Sequence, residues 1–155
     1  MINIAHRGLF NGPNKKKENN LEQIKSAIKN GYEVEIDLRL IQDRLYLGHD
    51  EIQETLELKW LNDHKNKLWI HCKNIFTVDF FYELNLGFNY FFHNIDHLTI
   101  TSKNYLWVYP KKPYTKNSIV VCNTKDEIDD VLNSTIKPLG ICSDFSFYVH
   151  ELINN

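Results

Sequence analysis

Residues able to do chemistry stand out first in the segment Tyr32–Leu40, where Glu35 and Asp37 lie two positions apart. In an extended strand alternate side chains share a face. Val34, Ile36, Leu38 and Leu40 then fall on one side, and Glu33, Glu35, Asp37 and Arg39 on the other. The Cα atoms of Glu35 and Asp37 would be about 6.5–7 Å apart on one face, close enough for both carboxylates to reach one hard cation. Taken alone, the segment reads first as a half-exposed strand with a solvated charged face, because a single Glu-x-Asp is a weak signal. Two histidines sharpen the picture. His6 is followed by Arg7 directly after the apolar run Ile2–Ala5, and His49 by Asp50 after Arg44–Gly48. Imidazole gives and takes protons near neutral pH, so either histidine is a candidate acid or base.

The residues just after the apolar runs extend the pattern. His6 and Arg7 come after Ile2–Ala5, and Asp37 lies near the end of its strand. His71 and Lys73 close Leu68–His71, His93 comes after Phe88–Phe92, and Asp144 after Gly140–Ser143. In a parallel barrel these strand ends share one rim, and that rim carries the active site.

The elements that would position these groups are also readable. Ile2–Ala5, Tyr32–Leu40, Arg44–Gly48, Leu68–His71, Phe88–Phe92, Ser118–Cys122 and Gly140–Ser143 are predicted strands, and Leu98–Thr101 and Tyr105–Tyr109 a hairpin. Asn20 with Gln23 forms a predicted capping box for a helix whose apolar face is Leu21, Ile24, Ala27 and Ile28, ending at Gly31. A second helix runs from about Ile75 to Leu86, closed by Gly87. Thr124 with Glu127 caps a third that runs to about Asn133, and Phe147–Leu152 is a terminal helix. Alternating strands and helices imply a mainly parallel sheet. Seven or eight strands suggest a compact (β/α) TIM-like barrel. A full barrel takes about 250 residues, so several helices would be missing; an open parallel sheet is the competitor.

With 155 residues, of which 43% are hydrophobic and 25% charged, the chain suits one soluble domain over 1–155. A net charge of -2 provides no basic field for nucleic acid. The run Lys15–Lys17 is short and Asn-flanked, and reads as a solvated loop. No signal peptide or membrane span is apparent. Cys72, Cys122 and Cys142 are odd in number and widely spaced, which points to reduced thiols in a cytoplasmic protein. Cys142 reads as core. Asp144 reads equally as a helix cap or a site residue.

Four short segments in order, His6-Arg7-Gly8, Glu18-Asn19-Asn20, Glu35-Ile36-Asp37 and His49-Asp50, resemble the glycerophosphodiester phosphodiesterase family. That family reads His-Arg-Gly, Pro-Glu-Asn-Thr, Glu-x-Asp and His-Asp. The resemblance covers residues 2–50. Ile141–Phe145 is weakly similar to the family's last-strand Thr-Asp segment. Lys17 and Asn20 replace the proline and threonine of the second motif, and the turn between Asp37 and His49 is one residue shorter. In the third strand, Trp69-Ile70-His71-Cys72-Lys73 places His71 where the family has a metal-binding glutamate. His93–Asp96, Thr101–Pro110 and Ser118–Val121 are loosely similar to short relatives encoded among bacterial surface-polysaccharide genes.

The resemblance implies a (β/α) barrel related to the phosphatidylinositol phospholipases. It assigns metal binding to Glu35, Asp37 and, by position, His71. It assigns general acid and base to His6 and His49, and phosphate contact to Arg7. Lys73, His93 and Trp107 are candidate substrate contacts, although core packing is the plainer role for Trp107. The implied cofactor is one divalent cation, Mg²⁺ or Ca²⁺ in the first place, with Mn²⁺ or Zn²⁺ as alternatives because imidazole suits them better. The expected activity is cleavage of a glycerophosphodiester-like or glycan- or nucleotide-linked phosphodiester. Phosphoryl transfer on the same site, and a non-catalytic module that binds a phosphate ligand, are the alternatives. A barrel short of helices leaves apolar surface uncovered, which suggests a homodimer.

Overall fold

A computed structural model describes residues 1–154. Seven strands run parallel in the order β6 (Tyr90–Phe92), β5 (Leu68–Cys72), β2 (Glu33–Ile41), β1 (Ile2–Ala5), β10 (Gly140–Ser143), β9 (Ser118–Val121) and β8 (Leu106–Val108). The C-terminal half of β2 also pairs antiparallel with β3 (Arg44–Leu47), and β3 with β4 (Glu54–Leu56); β7 (Leu98–Ile100) pairs antiparallel with β8. The result is a mixed α/β fold with a ten-stranded mixed sheet and, among the described residues, five α-helices. No ladder joins β6 to β8 among the described residues, so the sheet does not close through backbone pairing.

Alternation along the strands sorts side chains into two layers. Val34, Ile36 and Leu38 of β2 join Ile70 and Cys72 of β5 under the helices α1 (Leu21–Lys29), α2 (Leu58–His64) and α3 (Ile75–Leu84). On the far side, Val120 and Ile141 meet Ile128 and Val131 of α4 (Lys125–Asn133) and Val149 of α5 (Ser146–Asn154). Their alternating neighbours point the other way. Ile4, Trp69, Phe91, Trp107, Ile119 and Cys142, one from each of six parallel strands, form a separate buried cluster. Within it Trp107 of β8 stacks on Phe91 of β6 at 4.6 Å and lies 5.6 Å from Trp69.

The local signals explain most boundaries. Asn20 caps α1 by accepting from the Glu22 and Gln23 amides. Gln23 does not complete the expected capping box: its side-chain amide donates to the Gly8 carbonyl at 2.9 Å and ties α1 to the turn after β1. Thr124 caps α4 by accepting from the Glu127 amide, while the Glu127 carboxylate accepts from the Asn123 amide. α3 stops at Leu84, two residues earlier than expected, because Asn85 takes the left-handed conformation at φ 43°. β4 and α2 carry no sequence signal. α2 has seven residues and no side-chain cap, too short for an apolar period to show.

The helices are unevenly distributed. Each connection from β1 to β6 that crosses between parallel strands carries one, but the links from β6 to β8 and from β8 to β9 carry none. The sheet there keeps exposed apolar groups, including Phe92, Leu98 and Ile100. No helix among the described residues is long and apolar enough to cross a membrane. Cys72, Cys122 and Cys142 are all free and buried, and Lys15–Lys17 are exposed.

Candidate metal and acid–base site

The C-terminal ends of the parallel strands, with the loop after the antiparallel β3, gather the ionisable groups into one cavity of about 160 Å³. His6, Arg7, Glu35, His49, His71, His93 and Trp107 line it, together with Tyr109, Pro110 and Asn123. The expected charged face of β2 is therefore not solvated. Glu35 is 2% exposed and Asp37 fully buried, a placement that ionised carboxylates tolerate only with partners.

Those partners are specific. A left-handed turn at Arg7 (φ 52°) aims its backbone N–H at Glu35 Oε2, 3.1 Å away. The next residue, Gly8, has φ 79°, and a Cβ there would lie 3.1–3.2 Å from Ile24, so glycine lets α1 approach. The Arg7 side chain places Nε 3.1 Å from Asp37 Oδ2 and donates to Glu18 at 3.0 Å. Asn19, fully buried and itself at φ 54°, clamps Asp37 at two points. Its amide donates to Oδ2 at 2.8 Å and its carbonyl oxygen accepts from the Asp37 backbone N–H at 2.9 Å. Asparagine tolerates this conformation better than most residues.

Each carboxylate thus has one oxygen committed to the protein and one turned elsewhere. Parallel pairing of β2 with β5 sets Asp37 opposite His71. His71 Nδ1 lies 2.9 Å from Asp37 Oδ1 and 3.8 Å from Glu35 Oε1. The three donor atoms fall within 4.8 Å of one another. The His93 carbonyl can only accept, so the 3.0 Å contact at His71 Nε2 fixes a proton there. A neutral His71 therefore turns a bare Nδ1 lone pair towards two carboxylate oxygens. That arrangement needs a positive charge between them, supplied by a second proton on the ring or by a cation. Asp37 Oδ1 is buried and makes no aligned hydrogen bond, despite its short distance to His71. A buried carboxylate oxygen without an aligned hydrogen bond is costly, and a divalent cation would satisfy it. The donor set fits a metal.

Lys73 Nζ stands 3.6 Å from Asp37 Oδ1. Burial alone would raise the Asp37 pKa, but His71, Arg7 and Lys73 outweigh it and hold the carboxyl well below its ordinary range. Glu35 goes the other way: burial and the neighbouring Asp37 charge raise it against the pull of His6, His71 and Arg7.

The two candidate acid–base histidines are built alike. His6 Nδ1 is 2.8 Å from Asp144 Oδ1, and His49 Nδ1 is 2.7 Å from Asp50 Oδ1. Each carboxylate holds the Nδ1 proton and leaves Nε2 to work. His6 Nε2 lies 3.9 Å from Glu35 Oε2. Burial would lower the His6 pKa, but the Asp144 hydrogen bond and the Glu35 charge raise it above its ordinary value. His49 sits on the loop after β3, whose backbone is held by Arg39 through contacts to the Gly48 and His49 carbonyls at 3.3 and 2.5 Å. The loop needs Gly48 (φ 140°), because a Cβ there would fall 1.9 Å from the Glu51 carbonyl oxygen.

His93 is 8% exposed, and neither ring nitrogen has a hydrogen-bond partner. Burial, with His71 and Lys73 nearby, pushes it down to about 4. Its ring meets the Tyr109 ring edge-on at 4.2 Å. Trp107 is core and forms a wall of the cavity from the inside.

Three residues of this network have little or no role that the sequence alone reveals. Asn19 lies within the Glu18–Asn20 segment, but nothing local marks it as the Asp37 clamp. Arg39 shows only as a charge on the same face. Asp144 reads from sequence as either a cap or a site residue, and its bond to His6 places it at the site. Cys142 is buried core, with its thiol pushed well up by burial.

Compared with models of known protein families the chain matches none, and compared with curated proteins it likewise matches none.

Proposed function

We propose that the chain is a metal-dependent phosphodiesterase related to the glycerophosphodiester phosphodiesterases. The observation that carries this reading is the meeting of His6, Arg7, Glu35, His49 and His71 around one cavity, with the buried Asp37 2.9 Å behind His71, although they come from four separate stretches of the chain. A stability role does not explain two histidines each oriented by a carboxylate beside a buried carboxylate pair. The barrel form of the family is supported by the cluster of six inward side chains and by the stacking of Phe91 on Trp107 across the unpaired β6–β8 gap. In such a barrel inward side chains fill the interior in layers.

Glu35, Asp37 and His71 would hold the cation, whose chemistry is to neutralise phosphate oxygens and the charge that develops on them. Arg7 keeps guanidinium N–H groups beyond those used on Asp37 and Glu18, and Lys73 adds a second cationic group. One of His6 and His49 takes the proton from the attacking hydroxyl at Nε2. As the bond from phosphorus to the leaving oxygen breaks, the other returns a proton to that oxygen from its own Nε2. Asp144 and Asp50 keep both rings in the orientation these transfers need. Where the substrate has a hydroxyl beside the ester, that hydroxyl is the nearer nucleophile and the product is a cyclic phosphate. A glycan- or nucleotide-linked diester suits the His93–Tyr109 side of the cavity.

Hydrolysis of bis(p-nitrophenyl) phosphate by the chelator-treated protein, with and without added divalent metal, tests the reading. Turnover that appears with metal and is lost in the double variant Glu35→Gln/Asp37→Asn is expected. Turnover equal in the wild type and this variant would overturn it.

A further inference from the structure

His71 differs from a carboxylate in the kind of cation it favours. The Nε2 proton is fixed by the His93 carbonyl at 3.0 Å, so in the neutral ring Nδ1 is the only nitrogen lone pair, and it faces Glu35 Oε1 and Asp37 Oδ1. A ligating histidine whose other nitrogen donates to a backbone carbonyl is oriented and made more basic. The carboxylates are also limited. Asp37 Oδ2 is occupied by Asn19 and Arg7, and Glu35 Oε2 by the Arg7 amide. Each offers one oxygen that accepts no aligned protein hydrogen bond, and a bidentate contact would have to share the other oxygen with the donors already on it.

We infer that this site selects a borderline first-row cation, of the Mn²⁺, Co²⁺ and Zn²⁺ series, through direct coordination by His71 Nδ1, in preference to Mg²⁺ or Ca²⁺. Ca²⁺ asks for six to eight oxygens, commonly with bidentate carboxylates, and Mg²⁺ for a near-octahedral oxygen shell. One imidazole nitrogen and two single carboxylate oxygens, with positions left open for phosphate or water, match the borderline cations. Lys73, 3.6 Å from Asp37 Oδ1, reduces the net negative charge that a hard cation would need. The inference rests on the metal-dependent reading above.

The test uses the full chain stripped with a chelator. Mn²⁺ is added and electron spin echo modulation is recorded for nitrogen coupling, in the wild type and in His71→Glu. Mg²⁺ and Mn²⁺ affinities are then measured by calorimetry on both. A directly bound nitrogen in the wild type, absent in His71→Glu, is expected. The ratio of Mg²⁺ to Mn²⁺ dissociation constants should fall by about tenfold or more in the variant. Mn²⁺ bound without nitrogen coupling, or an unchanged ratio, would overturn the choice of cation and leave the metal site standing. Failure of every cation to bind to the folded wild type would overturn the metal site as well. Should His71→Glu not fold, the wild-type coupling decides alone: replacing ¹⁴N by ¹⁵N in histidine must change the modulation, and no change overturns the inference.

Discussion

Asp37 and His71 stand opposite each other on neighbouring parallel strands, with Nδ1 2.9 Å from Oδ1, yet no aligned hydrogen bond joins them. The backbone register makes the contact and the His93 carbonyl sets its chemistry, because that carbonyl takes the Nε2 proton. Two groups that would repel as a neutral imidazole and a carboxylate are held in place by the strands. Such a pair is preorganised for a positive charge.

Asn19 supports Asp37 from behind through two hydrogen bonds. Asn19→Ala removes both and leaves the Asp37 Oδ2 side short of a donor. Metal affinity should fall by about 10- to 100-fold, the size seen when a ligand's hydrogen-bonding support is lost. Calorimetric titration with Mn²⁺ measures it. Affinity within twofold of the wild type would remove Asn19 from the site.

Replacing His6 or His49 by Ala should lower turnover by about 100- to 10,000-fold, the usual contribution of general acid–base catalysis. Circular dichroism should be unchanged, since neither side chain belongs to the buried clusters. Asp144→Asn should cost less than His6→Ala, because the ring stays and only its orientation and proton affinity change. Steady-state rates on one diester rank the three variants. A wild-type rate in both histidine variants would end their assignment.

Much of this site is legible in the sequence because its signals are local. The alternation of Tyr32–Leu40 puts Glu35 and Asp37 on one face, and the strand ends at His6, His71, His93 and Asp144 are readable from the apolar runs before them. The burial of that face is not legible, because it depends on the strands packed around β2. The pairing of His6 with Asp144 joins residues 138 positions apart, which no local pattern reveals. β4 and α2 escape notice for a different reason: three and seven residues are too few to show a period. Of the ten strands only β4 is without a predicted counterpart, and the seven that run parallel, with the helix-poor stretch from β6 to β9, match a shortened α/β fold.

Arg39 holds two consecutive carbonyls of the His49 loop. Arg39→Ala should free the loop and lower kcat on the diester more than it raises KM, with little change in metal affinity. The His49 ring signals in a proton–nitrogen correlation spectrum should broaden, while those of His71 stay sharp. Sharp, unshifted His49 signals would show that the loop holds itself.

Metal should also stabilise the fold, because the unfolded chain does not bring Glu35, Asp37 and His71 together. At free metal 100 times the dissociation constant the gain is about 2.7 kcal/mol, or roughly 2–4 °C in Tm for each kcal/mol in a chain of this size. Differential scanning calorimetry of stripped and Mn²⁺-loaded protein measures it. No rise in Tm at saturating metal would count against the site.

The most direct measurement is anomalous diffraction from crystals soaked with Mn²⁺ and inorganic phosphate. The expected map has one anomalous peak at about 2.0–2.6 Å from Glu35 Oε1, Asp37 Oδ1 and His71 Nδ1. A phosphate oxygen should lie on the cation, with His6 Nε2 and His49 Nε2 facing the phosphate from the two sides. A map with no peak between these three residues, and with His71 Nδ1 donating to Asp37 instead, would contradict the proposed metal-dependent activity.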